Sequence, residues 1–309
     1  MKYFFLSRML FSKDSSPKGS RFDPKELVVL SYPPACSRPL VFMQTVRLEI
    51  PTMPESINYT IEFLHDIDLL RQCVDIQRKA WGFADEDLLP LRMLVVCSKI
   101  GGQVFGALDS NRRVLGFLNA FPGLRDRKVY LHSQMMGVLP EFQNMGIGKK
   151  LKLKQRDEAM SRGIPWVEWT FDPLETRNAR FNIEILGAIC RRFHENIYGI
   201  SSSHLQGRRP TDRLVAEWHL ESARVRSRLY PNLNDSAPIP LSTTVDLPSN
   251  IGELKSKDPQ TALQLQLEFR EKILNLLDKN YCVTKFEVDS DCQKVRYHLE
   301  PFDERLLEL

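Results

Sequence analysis

Residues Met135–Gly148 read MMGVLPEFQNMGIG. The first half ends a long strand candidate that begins at Lys128 and stops at Pro140, so Lys128–Leu139 is expected to be a strand. The second half, Gln143-Asn144-Met145-Gly146-Ile147-Gly148, is a turn that opens a helix. That helix is expected over Gly148–Arg162, with Gly163 closing it. Consecutive backbone N–H groups in such a turn point outward, and the helix N-terminus adds a partial positive charge. Gly146 and Gly148 let the backbone approach a bulky anion without a Cβ in the way. Lys149 and Lys150 open the helix, with Lys152, Lys154 and Arg156 behind them. A pyrophosphate is the expected ligand. The plain alternative is a strand-to-helix turn whose glycines only satisfy φ, but the long strand before it and the basic helix after it favour a cradle. Neither a dinucleotide fingerprint nor a GxxxxGK[ST] loop is present.

Outward from this stretch the chain alternates strand and helix. Upstream, Tyr59–Leu64 alternates like a strand, Asp66–Trp81 has helical apolar spacing, and Leu88–Ile100 is a second helical segment. Val104–Leu108 and Val114–Ala120 read as strands, bounded by turns at Asp109-Ser110-Asn111 and Pro122-Gly123. Downstream, Pro165–Phe171 (PWVEWTF) and Arg213–Leu220 (RLVAEWHL) read as strands, with a helix over Asn178–Leu186 between them. Hairpins followed by a strand–helix–strand unit imply an α/β (α+β) fold with a mixed, mostly antiparallel sheet. After Ala223 the pattern changes. A Pro/Asn/Asp-rich linker at Pro231–Pro240 precedes a strand over Thr243–Leu247 and a helix, Pro259–Asn280, capped by Asp258. A hairpin of Tyr281–Val288 with Lys294–Leu299 follows. The expected division is an irregular or disordered leader over 1–55, an α/β core over 56–222 and a small α+β extension over 223–309, the last a lid or a dimer element.

The 309 residues are 42% apolar and 27% charged, with a mean hydropathy of −0.30. That is ordinary globular composition, and no apolar run is long enough to span a membrane. Of the net charge of +4, residues 1–55 supply eight Lys/Arg against five Asp/Glu, so no basic face is implied for the core and no nucleic-acid partner is expected. The same 55 residues carry seven of the 19 prolines. MKYFFLSRMLF is interrupted by Ser7 and Arg8 and has no cleavage site after it, so export is not expected. The six cysteines are scattered and none has metal-ligand spacing, which suits a reducing, cytoplasmic compartment and no metal.

The segment Met135–Gly148 resembles the acetyl-CoA-binding motif of the GNAT N-acetyltransferase superfamily, Gln/Arg-x-x-Gly-x-Gly/Ala. The resemblance covers roughly Tyr59–Leu220. TFDPLETRNARFNIEILGA, IYG and PTDRLVAEWHL are similar to an uncharacterised bacterial branch of predicted GNAT acyltransferases with a C-terminal extension. The resemblance implies a GNAT-like sheet and an acyl-CoA co-substrate, acetyl-CoA or another. The N–H groups of Gln143, Asn144, Met145, Gly146, Ile147 and Gly148 would hold the pyrophosphate, Lys149 would help neutralise it, and the main chain around Met136 and Val138 would pair with the pantetheine arm. The thioester would enter between the strands Lys128–Leu139 and Trp166–Phe171. The implied activity is transfer of an acetyl group to an amine of a small molecule. The alternative is a coenzyme-A-binding module or sensor without turnover.

Acyl transfer to an amine needs a base, an acid for the thiolate and a donor for the oxyanion. His132 shares one face of its strand with Gln134, Met136 and Val138, and is the first candidate for base, against a core histidine bonded to a carbonyl. Glu168, between two tryptophans, is the second. A carboxyl there is expected to have a raised pKa unless it pairs with Arg177, Arg180 or Arg191. The family's tyrosine acid falls on Ile183, so Tyr198 is the candidate acid, against a half-buried tyrosine at a turn. Arg208, Arg209 and Arg213 read as an anion-binding group or a solvated loop, and the four tryptophans as core.

Overall fold

The computed structural model describes residues 57–203, 205–230 and 242–308 in full, together with a pair of backbone strands nearer the N-terminus. The chain divides into two units, Met1–Ile57 and Asn58–Leu309. In the first, β1 (Glu26–Ser31) pairs antiparallel with β2 (Phe42–Arg47). The leader expected to be irregular or disordered therefore contains a strand pair, which the apolar run Leu27-Val28-Val29-Leu30 with its two β-branched valines suits. Its remaining residues, and the linker at Pro231–Pro240, lie outside the described residues.

The second unit is built on a ten-stranded sheet. Its elements are β3 (Tyr59–Phe63), α1 (Ile67–Trp81), α2 (Leu91–Lys99), β4 (Gln103–Asp109), β5 (Val114–Arg125), β6 (Lys128–Val138), α3 (Ile147–Ser161), β7 (Trp166–Phe171) and α4 (Thr176–Arg180). Then come β8 (Ile189–His194), β9 (Arg213–His219), α5 (Ala223–Leu229), β10 (Thr243–Pro248), α6 (Ile251–Lys257), α7 (Pro259–Leu277), β11 (Tyr281–Asp289) and β12 (Lys294–Pro301). The spatial order is β10-β12-β11-β8-β9-β7-β6-β5-β4-β3, and every neighbouring pair is antiparallel except β6 with β7. This is the expected mixed, mostly antiparallel sheet flanked by helices. Among the described residues no helix is long and apolar enough to cross a membrane.

Two apolar clusters hold the sheet. Leu70, Cys73 and Ile76 of α1 and Leu94 of α2 pack with Val104 and Phe117. Ala159 of α3 packs with Ala120, Leu131, Val167, Ala216 and Trp218, and this second cluster continues through Phe269 and Ile273 of α7 to Tyr297 and Leu299. By the two-residue period of a strand, Leu131 and Val167 face α3, while His132 and Glu168 face away from it.

Four differences from the expected elements have physical causes. β5 does not turn at Pro122-Gly123 but runs to Arg125, and the chain reverses at Asp126 and Arg127, both with positive φ. Pairing with β4 ends at Ala120, so Pro122 lies where β5 is bonded on one side only and its missing N–H breaks no second ladder. The strand β8, ICRRFH, is hidden in the sequence by its two arginines. The helix expected over Asn178–Leu186 starts at Thr176 and widens to a π turn over Phe181–Ile185. The C-terminal extension has the expected α+β elements but shares the sheet of the core, through Val283 of β11 opposite Cys190 of β8.

Candidate active site

β6 and β7 are paired only at Leu131–Val167 and His132–Glu168, and beyond these they diverge. A cavity of about 380 Å3 opens between them. Its floor and sides are Ser133, Gln134, Met135 and Met136 of β6, Trp169, Thr170 and Phe171 of β7, Lys152 of α3, and Asn178 and Asn182 of α4 and its π turn. Trp81, Phe83 and Asp87 close one side, and the segment 198–213 closes the other. Gln134 is a bulge residue, since Met135 pairs with Asn119 and Ser133 with Ala120. A bulge of this kind turns a backbone group out of its ladder and is common beside active sites. Past Leu131 and His132 the β6 edge that faces the cleft has no strand partner among the described residues, which leaves the main chain around Met136 and Val138 able to pair with an extended arm.

The turn at Gln143–Gly148 lies at the far end of β6. Gln143 donates its side-chain N–H to the Val138 carbonyl, 3.2 Å away, which ties the turn back to the strand. Asn144 (φ 63°) and Gly146 (φ 80°) are left-handed, and these two reversals direct successive N–H groups to the same side. Among the described residues, no N–H from Asn144 to Lys149 finds an acceptor in the chain, while Lys150 returns to the Gly146 carbonyl. A Cβ built on Gly146 would meet nothing within 4 Å, and one on Gly148 would meet the Met136 side chain at 3.3 Å. The space above Gly146 is thus open, and Gly148 allows close packing on β6. Met145 is half-buried, Ile147 is buried and Lys149 is exposed beside the turn. The basic run is not one surface: Lys152 and Arg156 turn inward, and Arg156 bonds the Leu220 carbonyl at 2.9 Å.

The three residues expected to carry protons go to different places. Tyr198 reaches the cavity, and its hydroxyl is 3.0 Å from Thr170 Oγ1. His132 and Glu168 are not in the cavity lining. They sit side by side at the fork, on the face away from α3, with Nδ1 3.8 Å from Oε1, beyond hydrogen-bond reach. Glu168 accepts from Arg125 at 2.8 Å and from Arg192 at 2.6 Å. The arginines therefore come from β5 and β8, not from 177, 180 or 191. Burial alone would raise this carboxyl. The neighbours around it, the His132 ring and the Arg125 and Arg192 guanidiniums, outweigh burial and hold it well below the usual carboxylate range. Of the two expectations for Glu168, a raised pKa or an arginine pair, the structure has the pair, with other arginines than those named from the sequence. Glu217, opposite Glu168 on β9, repeats the arrangement with Arg191 and Arg192. Burial opposes its ionised form, but His219 and the same arginines bring it to about 2.

The loop arginines also divide. Arg209 is buried and donates to Gln266 at 2.7 Å, whereas Arg213 lines the cavity. Of the tryptophans, Trp169 and Trp218 are buried as expected, with Trp169 also lining the cavity. Trp166 instead stacks on Tyr130 on the face away from α3. Groups that sequence reasoning missed come from the extension. Lys255 of α6 pairs with Asp172 (3.3 Å) and with Glu175, both at the cavity. Arg270 of α7 grips Asp212 through two bonds of 2.9 and 2.8 Å. Nothing in α6 or α7 taken alone marks these residues, because their partners lie more than 50 positions away.

No family model matches this sequence, and no curated protein matches it. The chain is similar to several solved structures. One is a protein from Desulfovibrio desulfuricans assigned to the GNAT acetyltransferase family (11% identity, 53% of this chain and 99% of that one, TM-score 0.42). Another is the ribosomal-protein-S18-alanine N-acetyltransferase of Escherichia coli (17%, 54% and 96%, 0.41). A third is Arabidopsis thaliana NAA60 in complex with acetyl-CoA (13%, 52% and 98%, 0.44). At these identities and scores, none of the likenesses assigns an activity.

Proposed function

We propose that the chain is an acyl-CoA-dependent acyltransferase of the GNAT type that moves an acetyl group, or another acyl group, to an amine of a small molecule. The observation that carries this reading is the fork between β6 and β7. A parallel pair is released after two residue pairs, a cavity fills the gap, and the freed strand leads to a turn of unpaired N–H groups. Such an arrangement suits a long ligand with an anionic end and a reactive end. The turn Gln143–Gly148 would take the pyrophosphate, with Lys149 beside it. The β6 edge at Met136–Val138 would take the pantetheine amides, and the bulge at Gln134 would lie near the thioester. Tyr198, with its hydroxyl at the cavity wall, would protonate the leaving thiolate. His132 and Glu168 form the last residue pair before the two strands diverge. No metal has a role in this chemistry, and the reading includes a cytoplasmic site of action. The extension, which grips one wall of the cleft, would shape acceptor choice.

Titration calorimetry with acetyl-CoA, followed by thiol release across a panel of primary amines, tests the reading. Binding with acceptor-dependent release of coenzyme A is expected; absence of binding ends it. A second reading, a coenzyme-A-binding module without turnover, is favoured by one observation: Ile183, where the family's tyrosine falls, is fully buried. Binding without thiol release for any amine would select it.

A further inference from the structure

Among the described residues, Lys152 is a buried lysine with no carboxylate partner. It lies on α3, its side chain crosses to the floor of the fork, and it is 2% exposed. Its Nζ donates to Ser133 Oγ at 3.0 Å and to Gln155 Oε1 at 3.0 Å, and lies 3.5 Å from the centre of the Trp169 ring. All three are neutral. Buried lysines are normally paired, because an isolated ammonium in an apolar interior costs more than neutral hydrogen bonds return. The charged groups around it are engaged elsewhere. On its own helix, Arg156 is bonded to a carbonyl, and Glu158, reached only through Gln155 and Gln103, pairs with Arg162. Across the cavity, Asp172 and Glu175 pair with Lys255, Asp87 is held by Ser201 and Ser202, and Arg213 bonds Gln206. Burial pushes the Lys152 ammonium well below its ordinary value.

The position gives that amine a use. Ser133 borders the bulge at Gln134, five residues back along β6 from Val138, about 16 Å of strand. An arm anchored by its phosphates at the turn and laid along this edge brings its reactive end to Ser133 and Lys152. We propose that Lys152 is the proton acceptor for the incoming amine, an inference that rests on the acyl-transfer reading above. The acceptor arrives as an ammonium and passes one proton, through the Ser133 hydroxyl, to Lys152 Nζ. The freed lone pair forms the C–N bond at the thioester carbonyl, and the nitrogen sheds its second proton to water. The C–S bond breaks, and the thiolate takes a proton from Tyr198, which water restores. Lys152 returns its proton to solvent, so one amide, one thiol and one released proton balance the reaction.

The test uses the full chain with 13C at the lysine Cε carbons. The Lys152 signal is identified by its loss in Lys152→Met, and the wild-type protein is titrated. Lys152 is expected to inflect at a lower pH than the bulk of the lysine signals, because burial disfavours its ammonium. Lys152→Met is expected to keep acetyl-CoA affinity within about threefold and to lower kcat, with the best amine of the panel, by about 100-fold or more. Ser133→Ala, which keeps the buried lysine, is expected to lower kcat by a smaller factor, and it carries the kinetic test if Lys152→Met does not fold. A Lys152 that titrates with the surface lysines overturns the proposal. Unchanged turnover in both variants overturns it, and so does a loss of affinity that accounts for the lost turnover. Failure of the wild-type protein to bind acetyl-CoA removes the acyl-transfer reading itself, whatever Lys152 does.

Discussion

Gly146 concentrates two constraints in one residue: a left-handed backbone and open space where a side chain would stand. Gly146→Trp places an indole in that space and strains φ by about 1–3 kcal/mol. Acetyl-CoA affinity is expected to fall beyond calorimetric detection, and an unchanged Kd removes the pyrophosphate from this turn. Glu168 illustrates the opposite case, a residue whose neighbours decide its role. PWVEWTF marks it as a lone acid among apolar residues, which is correct, since it is 4% exposed. The residue types alone do not tell whether such an acid is isolated or neutralised; Arg125 and Arg192, from strands on either side, settle that. Glu168→Gln is therefore expected to cost about 1.5–3 kcal/mol of stability, discounted toward the lower end because both arginines are a third exposed. Acetyl-CoA affinity should hold. Denaturant unfolding with calorimetry on the same protein checks both.

Among the elements, α3 is the clearest example of a sequence pattern that misleads in some positions. GKKLKLKQR reads as a basic helix start, yet the 3.6-residue period turns Lys152 and Arg156 to the sheet and leaves Lys149 and Lys150 outside. α7 was legible as a helix from Asp258, whose side chain caps it at Thr261 N, 3.1 Å away, but not as a support for the cleft. Its Arg270 holds Asp212, 1% exposed, at the base of the segment that walls the cavity. Arg270→Leu leaves that carboxylate buried without its partner, at about 3–5 kcal/mol. Faster amide exchange over residues 195–212 and a raised acceptor KM are expected, with acetyl-CoA affinity held. Unchanged exchange there would separate α7 from the cleft.

Over the whole molecule, the sheet carries two buried carboxyls that are depressed, Glu168 and Glu217, side by side on β7 and β9. A carboxyl whose folded pKa is lowered adds stability that is complete above its unfolded value and is lost as pH falls through the folded one. The stability of this chain is thus expected to drop from about pH 4.5 downward, with the Glu217 share gone near pH 2. Glu217→Gln should flatten that slope, and urea midpoints across the acid range measure it. The continuous sheet has a second consequence. A chain ending at Tyr230 loses the partner of β8 and the apolar cover of α7, so cooperative unfolding should disappear, whereas a free-standing appendage would leave the transition intact.

The residues along the chain were enough to fix the mixed sheet, most of its strands and helices, and the glycine turn at the head of α3. Each rests on local physics: a two- or 3.6-residue period, a cap, a φ that only certain residues adopt. Tertiary structure alone decided that β6 and β7 diverge after His132 and Glu168, that Tyr198 reaches the cavity while His132 does not, and that Lys152 is buried beside Ser133 with no carboxylate partner among the described residues. It also decided that α6 and α7 brace the wall of the cleft. These depend on which distant segments lie next to each other, and burial and charge pairing act only once the chain has brought them together.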